Sequence, residues 1–259
     1  MLILLSPAKT LDFKPTGVTT HTLPDFLNDS KKLIRVMKKK SIGDLQQLMS
    51  ISEALASLNH QRYRQFDFPF TKENAKQAVL AFKGDVYVGL EADTLDEDDL
   101  SFAQDHVIIL SGLYGMLKPL DLIQPYRLEM GVRLEQGKYS NLYEFWTQKL
   151  TRHLNDKILQ QPEDTRVVIN LASQEYFQAI RTAKVKAPVI NIKFLEDRGG
   201  DLQFISFNAK KARGIMTRFI IRHRLSDPEA IKTFNESSYQ YADELSSANE
   251  WTFIRQQDA

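Results

Sequence analysis

Three short aliphatic runs constrain this chain more than any other feature: Leu2–Leu5, Val107–Leu110 and Val167–Leu171. Each is too short for a buried helix and is bounded by Ser, Gly or Asn, so each reads as a strand buried on both faces. Helical patterns separate them. Strands alternating with helices, interrupted by one tight hairpin, imply an α/β (α+β) fold with a mixed β-sheet covered by helices.

The other elements follow from periodicity and caps. Apolar residues at helical spacing predict a helix from Asp25 to about Lys40. Ser41, with Asp44 three residues on, caps Ile42–Met49, and Ser52 caps a helix from Glu53 to about Arg64. A further helix is expected from Thr71 through Phe82, making residues 25–82 a helical insert within a single domain spanning 1–259. Asp85–Leu90 reads as a strand and Leu95–Gln104 as a helix. The acidic Asp96-Glu97-Asp98-Asp99 suits the positive end of that helix dipole and lacks calcium-loop spacing. Leu142 to about Leu159 reads as a long helix, and Ser173 caps one reaching Ile180. Pro188–Leu195 and Leu202–Phe207 form a hairpin about Gly199-Gly200. Asn208 caps Ala209–Leu225, Pro228 starts a short helix, and Trp251–Ile254 is a final strand.

The stretch Leu110–Gly131 has no regular pattern, yet carries three glycines, two prolines and many aliphatic and aromatic side chains. So apolar a segment does not stay in water, so it is an ordered, packed loop leaving a strand end. It carries Lys118 and Arg127, with Arg133 just beyond, towards a site.

Composition narrows the function classes. A formal net charge of +1 selects no partner by itself, so any polyanion must meet a local concentration of Lys and Arg. No apolar run approaches the ~20 residues needed to span a bilayer, and the first residues lack a charged leader. With no cysteine, disulfides and thiolate chemistry are absent and the cytoplasm is the simplest address. The five histidines are scattered without metal-ligand spacing, and neither a phosphate loop nor a dinucleotide fingerprint is present. No cofactor or metal is called for.

Ligands of open α/β sheets gather at the carboxyl ends of strands. Four exits here are polar or glycine-containing: Ser6-Pro7-Ala8-Lys9, Ser111-Gly112, Asn170 with Ser173, and Ser206-Phe207-Asn208. In the helix after Asn208, Lys210, Lys211 and Arg213 fall near the positive end, an unfavourable placement by ~0.3–1 kcal/mol each. It makes sense if an anion binds there. Ser6 and Lys9 also match the Ser-x-x-Lys of acyl-transferring enzymes, without the companion motifs. Finally, Leu48-Met49-Ser50-Ile51-Ser52-Glu53-Ala54-Leu55-Ala56 has the frame of a helix-hairpin-helix, Leu-Pro-Gly-Ile-Gly-x-x-x-Ala, with Ser50 and Ser52 in the glycine places. An ordinary αα-hairpin accounts for it equally well.

Several long segments resemble the bacterial peroxide-stress YaaA family, in order along the whole chain. They are Leu4–Phe13, Ala81–Tyr87, Leu110–Gly115, Gln124–Gly131, Val168–Ser173 and Ile205–Gly214. The resemblance implies a cytoplasmic protein that limits peroxide damage by lowering unincorporated iron. It also implies DNA binding through a positively charged cleft, a single α/β domain and a helix-hairpin-helix element. The missing glycines of that hairpin are the one departure.

Two readings of the site follow. The first is sequence-independent binding of duplex or junction DNA by a non-enzymatic protein, through Lys9, Lys83, Arg127, Arg133, Lys210, Lys211, Arg213 and Arg218, with Ser50 and Ser52 at the hairpin. The second is an enzyme acting on a phosphate-bearing or other anionic substrate in the same cleft, with Ser6, Lys9 and Glu175 as reactive groups. Direct iron chelation fits the implied phenotype but not the residues. No membrane and no obligate protein partner are implied.

Overall fold

The computed structural model describes residues 1–256. The aliphatic runs form the centre of an eight-stranded mixed sheet. Its strands are β1 (Leu2–Leu5), β2 (Val107–Ser111), β3 (Gly115–Leu117), β4 (Val168–Asn170), β5 (Val189–Asp197), β6 (Leu202–Gln203), β7 (Tyr239–Tyr241) and β8 (Glu250–Gln256). Their order is β7-β8-β5-β4-β1-β2-β3, with β6 paired to β5 outside that path. β1 is parallel to β2 and β4, β4 to β5, and β5 to β8. β3, β6 and β7 each run antiparallel to their neighbour. Every residue of β1, β2 and β4 is buried, as unbroken aliphatic composition requires of parallel strands covered on both faces. Because these three strands share a direction, their carboxyl ends emerge at one edge.

The helices are α1 (Leu27–Met37), α2 (Ile42–Met49), α3 (Glu53–Gln65), α4 (Asp85–Leu90), α5 (Glu97–His106), α6 (Leu142–Gln160), α7 (Gln174–Phe177) and α8 (Ser206–Arg222). The Ser41 hydroxyl accepts the Asp44 N–H at 3.1 Å while the Asp44 carboxylate accepts the Ser41 N–H at 2.8 Å, the reciprocal box expected for α2. The acidic start of α5 is structural. Asp96 caps the helix, and Asp99 turns inward to meet Arg224 and Arg222, the latter at 3.1 Å. Burial opposes its ionisation, but hydrogen bonds from Arg224 and the Asp96 N–H prevail and hold its carboxyl below the usual range. The hairpin turns at Gly199 and Gly200, with φ of 71° and 94°.

Several expectations are corrected. Residues 71–82 are not one helix: Lys76–Gln77 pairs antiparallel with Leu122–Ile123, Ala78–Ala81 makes one buried turn, and Phe82–Lys83 pairs with Thr10–Leu11. Pairing with the 110–131 loop outcompetes helix propensity there, so the helical part of the insert ends at Gln65. Asp85–Leu90 is a helix, not a strand, because it lies in backbone contact with α8. α8 begins at Ser206 rather than after Asn208, whose side-chain amide instead donates to Glu196 at 2.6 Å. Ser6 followed by Pro7 suits a helix start, yet no helix follows Ser6. The helix after Ser173 is a single turn without a side-chain cap, β6 stops at Gln203 short of Phe207, and β7 was not foreseen.

One contact joining α1 to α6 carries a pH prediction. The Asp25 carboxylate, just before α1, lies 3.1 Å from His153 Nε2 and 3.6 Å from Lys157 Nζ. The close approach of His153, opposed by burial and aided by Lys118 and Lys157, lowers the Asp25 pKa from 3.8 to about 2. A depressed folded pKa stabilises above the unfolded value and that gain is lost as pH falls from about 4 towards about 2. Asp25→Asn is therefore expected to unfold at lower urea than the parent at pH 7, and together with it near pH 2. The Asp25 side chain is 38% exposed, so the difference at pH 7 is at most about 1 kcal/mol.

Candidate functional site

Polar side chains at the shared strand edge tie the strand exits together. The Ser6 hydroxyl, following β1, accepts the Ser173 N–H at 2.8 Å and donates to the Ser173 hydroxyl at 3.2 Å, following β4. The Ser6 carbonyl accepts the buried Tyr87 hydroxyl at 3.0 Å, which draws α4 against the same point. Burial pushes the Tyr87 phenol well above its usual pKa, so it is a fixed donor. α8 closes the remaining side. Together these elements enclose a cavity of about 570 Å3 lined by Ser6, Lys9, Lys83, Glu175, Lys210 and Arg213, among others.

Its charge is lopsided. Lys9, Lys83, Lys210 and Arg213 face it, against Asp85 and Glu175, so a chain of net charge +1 concentrates cations here. They come from separate stretches of sequence brought together by the fold. Arg213 is the most telling. Its Nε is buried without a hydrogen-bond partner, and burial alone lowers its pKa, with no carboxylate compensating. A guanidinium N–H buried without an acceptor is costly, and an anion in the cavity would offset that cost. Lys210 stands in the second turn of α8, since the helix begins at Ser206, so the free N–H groups of the first turn lie one turn away from it.

A second cavity of about 420 Å3 adjoins the first, sharing Lys9 and Glu175. The end of α2 (Gln47, Leu48, Met49 and Ser50) forms one wall, and Glu129, Gly131, Val132 and Arg133 form another. The apolar loop is thus packed as expected, and its last turn faces the cleft. Backbone closeness holds it: a Cβ on Gly112 would lie 2.3 Å from the Leu128 carbonyl, so only glycine lets the β2 exit lie on this segment. Trp146 donates to the Gly112 carbonyl at 2.9 Å, and Tyr63 donates to the Arg127 carbonyl. The Ser111 hydroxyl meets Tyr126 at 2.7 Å and accepts the Tyr114 N–H at 3.0 Å.

Glu129, which by sequence could either orient Arg127 or serve as an active-site carboxylate, does the first and is the loop's electrostatic anchor. One carboxylate oxygen accepts two hydrogen bonds from Arg127, at 2.8 and 3.1 Å, and faces Lys9 at 3.2 Å. The other is buried without a partner. Glu175 accepts the Gly131 N–H at 3.1 Å, fixing the loop from the opposite side.

The expected site residues therefore divide. Lys9, Lys83, Lys210, Arg213 and Glu175 share the first cavity with Ser6, while Arg133 and Ser50 line the second. Arg127 is folded onto Glu129, with 15% of its side chain exposed, and lines neither. Arg218 is held elsewhere, donating to the Leu90 and Glu91 carbonyls at 3.2 Å and to Thr94 at 2.6 Å, where it caps α4. Lys211 is exposed outside both cavities, and Lys118 lines a separate one of about 740 Å3 at the amino ends of β1 and β2. Ser52 caps α3 through the Leu55 N–H at 3.4 Å, and Ser50 occupies the left-handed region at φ 52°. Asp85, Tyr87 and Gln174 also line the first cavity and were missed, two of them because α4 read as a strand. Among the described residues, no group of three His, Asp or Glu side chains is placed to hold a metal ion, and no helix is long and apolar enough to cross a membrane.

A UPF0246 protein of Hahella chejuensis (strain KCTC 2396) is 50% identical over 256 residues, covering 98% of this chain and 99% of that protein. Residues 1–245, which carry both cavities and every wall described above, match the family described as peroxide stress protein YaaA. The chain belongs to that peroxide stress family.

Proposed function

We propose that this chain binds duplex or junction DNA, largely without sequence preference, in the cleft formed by the two adjoining cavities. In this reading it acts in the cytoplasm during peroxide stress and, as the resemblance implies, limits damage by lowering unincorporated iron. The observation that carries the reading is Arg213, half-buried with its Nε unpaired and no carboxylate against it, beside Lys9, Lys83 and Lys210. Cations that meet phosphates position a nucleic acid without reading its bases. Arg133 and the α2–α3 connection extend the track beyond the first cavity, as a helix-hairpin-helix contact would. Ser50 donates its N–H to the Gln46 carbonyl, so the hairpin would contribute its edge and the start of α3 rather than that amide.

Fluorescence anisotropy on duplexes of unrelated sequence tests this. Affinities are expected to agree within about threefold among them, because phosphate contacts carry no sequence information. One duplex bound more than tenfold above the rest would refute the sequence-independent reading.

A second reading, turnover of an anionic substrate, is supported by Glu175 and the Lys9–Glu129 pair at the junction of the cavities. Ser6 fits it poorly as a nucleophile, since its hydroxyl already bonds Ser173 twice. Turnover of a phosphorylated compound that is lost in Glu175→Gln but kept in Ser6→Ala would favour it over simple binding.

A further inference from the structure

The surface beside α8 carries apolar side chains that neither the core nor the cleft accounts for. Among the described residues, nine large apolar side chains are exposed, and three of them, Leu202, Phe204 and Phe207, fall within six positions. Phe204 is 55% and Phe207 60% exposed, and they are the aromatic members of that set. Apolar surface left in water is unfavourable in proportion to its area, so such a cluster marks a contact.

The neighbours of Phe207 say what kind. It is the second residue of α8, and Lys210 and Lys211 follow it by three and four positions, on the adjacent helix surface. Lys210 also lines the cationic cavity, which puts Phe207 one turn away from that cavity's wall. The first turn of α8 has no acidic residue. The carboxylates nearest along the chain are otherwise engaged: Glu196 is buried against Asn208 and Arg255, Asp197 accepts the Gly200 N–H, and Asp201 accepts from Gln203. The Asn208–Glu196 hydrogen bond also pins the start of α8 to β5, so Phe207 stands on a fixed element.

We infer that Phe207, supported by Phe204, is a stacking platform for unpaired bases, so the preferred nucleic acid is one whose strand leaves the duplex beside the cleft. The inference rests on the cleft being a DNA site. Exposed aromatic rings beside lysines offer a face to any base while the cations hold its backbone, which is how unpaired strands are bound without sequence readout. A protein partner would need apolar complementarity and gains nothing specific from the lysines.

The test measures binding of a fully paired duplex and of the same duplex carrying unpaired thymines, by anisotropy with the full chain. The parent is expected to bind the bulged form about tenfold more tightly, in line with stacking of one base. Phe207→Ala, and Phe204→Ala with Phe207→Ala, should reduce that advantage to about twofold or less while leaving paired-duplex binding unchanged. Phe207→Trp should keep it. Phe207→Leu, apolar but without a ring face, should lose it.

A parent that binds the paired duplex without preferring the bulge overturns the inference alone, as does Phe207→Leu retaining the preference. A change in oligomeric state on losing Phe207, with the preference intact, makes the patch a contact between copies and overturns it too. A parent that binds neither probe overturns the cleft reading and the inference together.

Discussion

Reversing two charges at the cleft, Lys210→Glu with Arg213→Glu, is expected to weaken duplex binding by about two orders of magnitude at moderate salt. If DNA lies in the cleft as proposed, each reversal would remove a phosphate contact and add a repulsion, and both positions face the same cavity. Arg213 allows a sharper version. The side chain is half-buried and its Nε has no partner, so folding bears a desolvation cost that no carboxylate offsets. Arg213→Met keeps the length and removes the charge. It is expected to leave the urea midpoint unchanged or raised, while weakening DNA binding about tenfold. A residue retained for packing would show the opposite: lower stability and unchanged binding.

The largest expected effect on folding lies at the crossing of α4 and α8. A Cβ at Gly214 would lie 1.7 Å from the Val86 carbonyl oxygen, and one at Gly89 would lie 2.1 Å from the Lys211 carbonyl oxygen. The two helices thus meet backbone to backbone, and neither neighbour is a flexible side-chain end that could swing aside. Gly214→Ala is expected to cost about 3 kcal/mol or more, the upper end for overpacking, read as a fall in urea midpoint. Forcing the helices apart would also separate Lys83 and Tyr87 on one wall from Lys210 and Arg213 on the other. Gly214→Ala with parent stability would mean that the helices do not touch as described. The same crossing explains the misread strand at Asp85–Leu90. Its Val-Tyr-Val core looks like a strand, but its partner is the glycine face of a helix 125 residues away, which no local pattern reveals.

Much of the fold was legible because its determinants are local. Unbroken aliphatic runs made β1, β2 and β4, the Ser41–Asp44 box started α2, and paired glycines turned the β5–β6 hairpin. What misled was decided by distant partners. Lys76 and Gln77 join a ladder with Ile123 and Leu122, which converts an expected helix into a short strand and a single turn. Asn208 looks like a cap, yet its amide is drawn to buried Glu196, so α8 starts earlier and Lys210 moves back into the second turn. The dipole argument for an anion at Lys210 is weakened accordingly, and the convergence of four cations on one cavity replaces it. The site was half legible. Polar strand exits marked Ser6, Lys9 and Ser173, and Glu129 two residues after Arg127 could be read as its partner, but nothing local showed that the pairing would take Arg127 out of the cleft or that Arg218 would cap α4.

The most direct test of DNA binding at this cleft is the salt dependence of affinity, measured for the parent and for single neutralisations. Five cations line the two cavities, so the slope of log affinity against log salt is expected between about −3 and −5. Lys9→Ala, Lys83→Ala and Lys210→Ala should each make it shallower by about 0.9, one phosphate contact apiece. Lys186→Ala, which lines a different cavity beside α6, should leave it unchanged. A parent slope near zero, or one that Lys186→Ala alters as much as the cleft substitutions do, would contradict binding in the cleft.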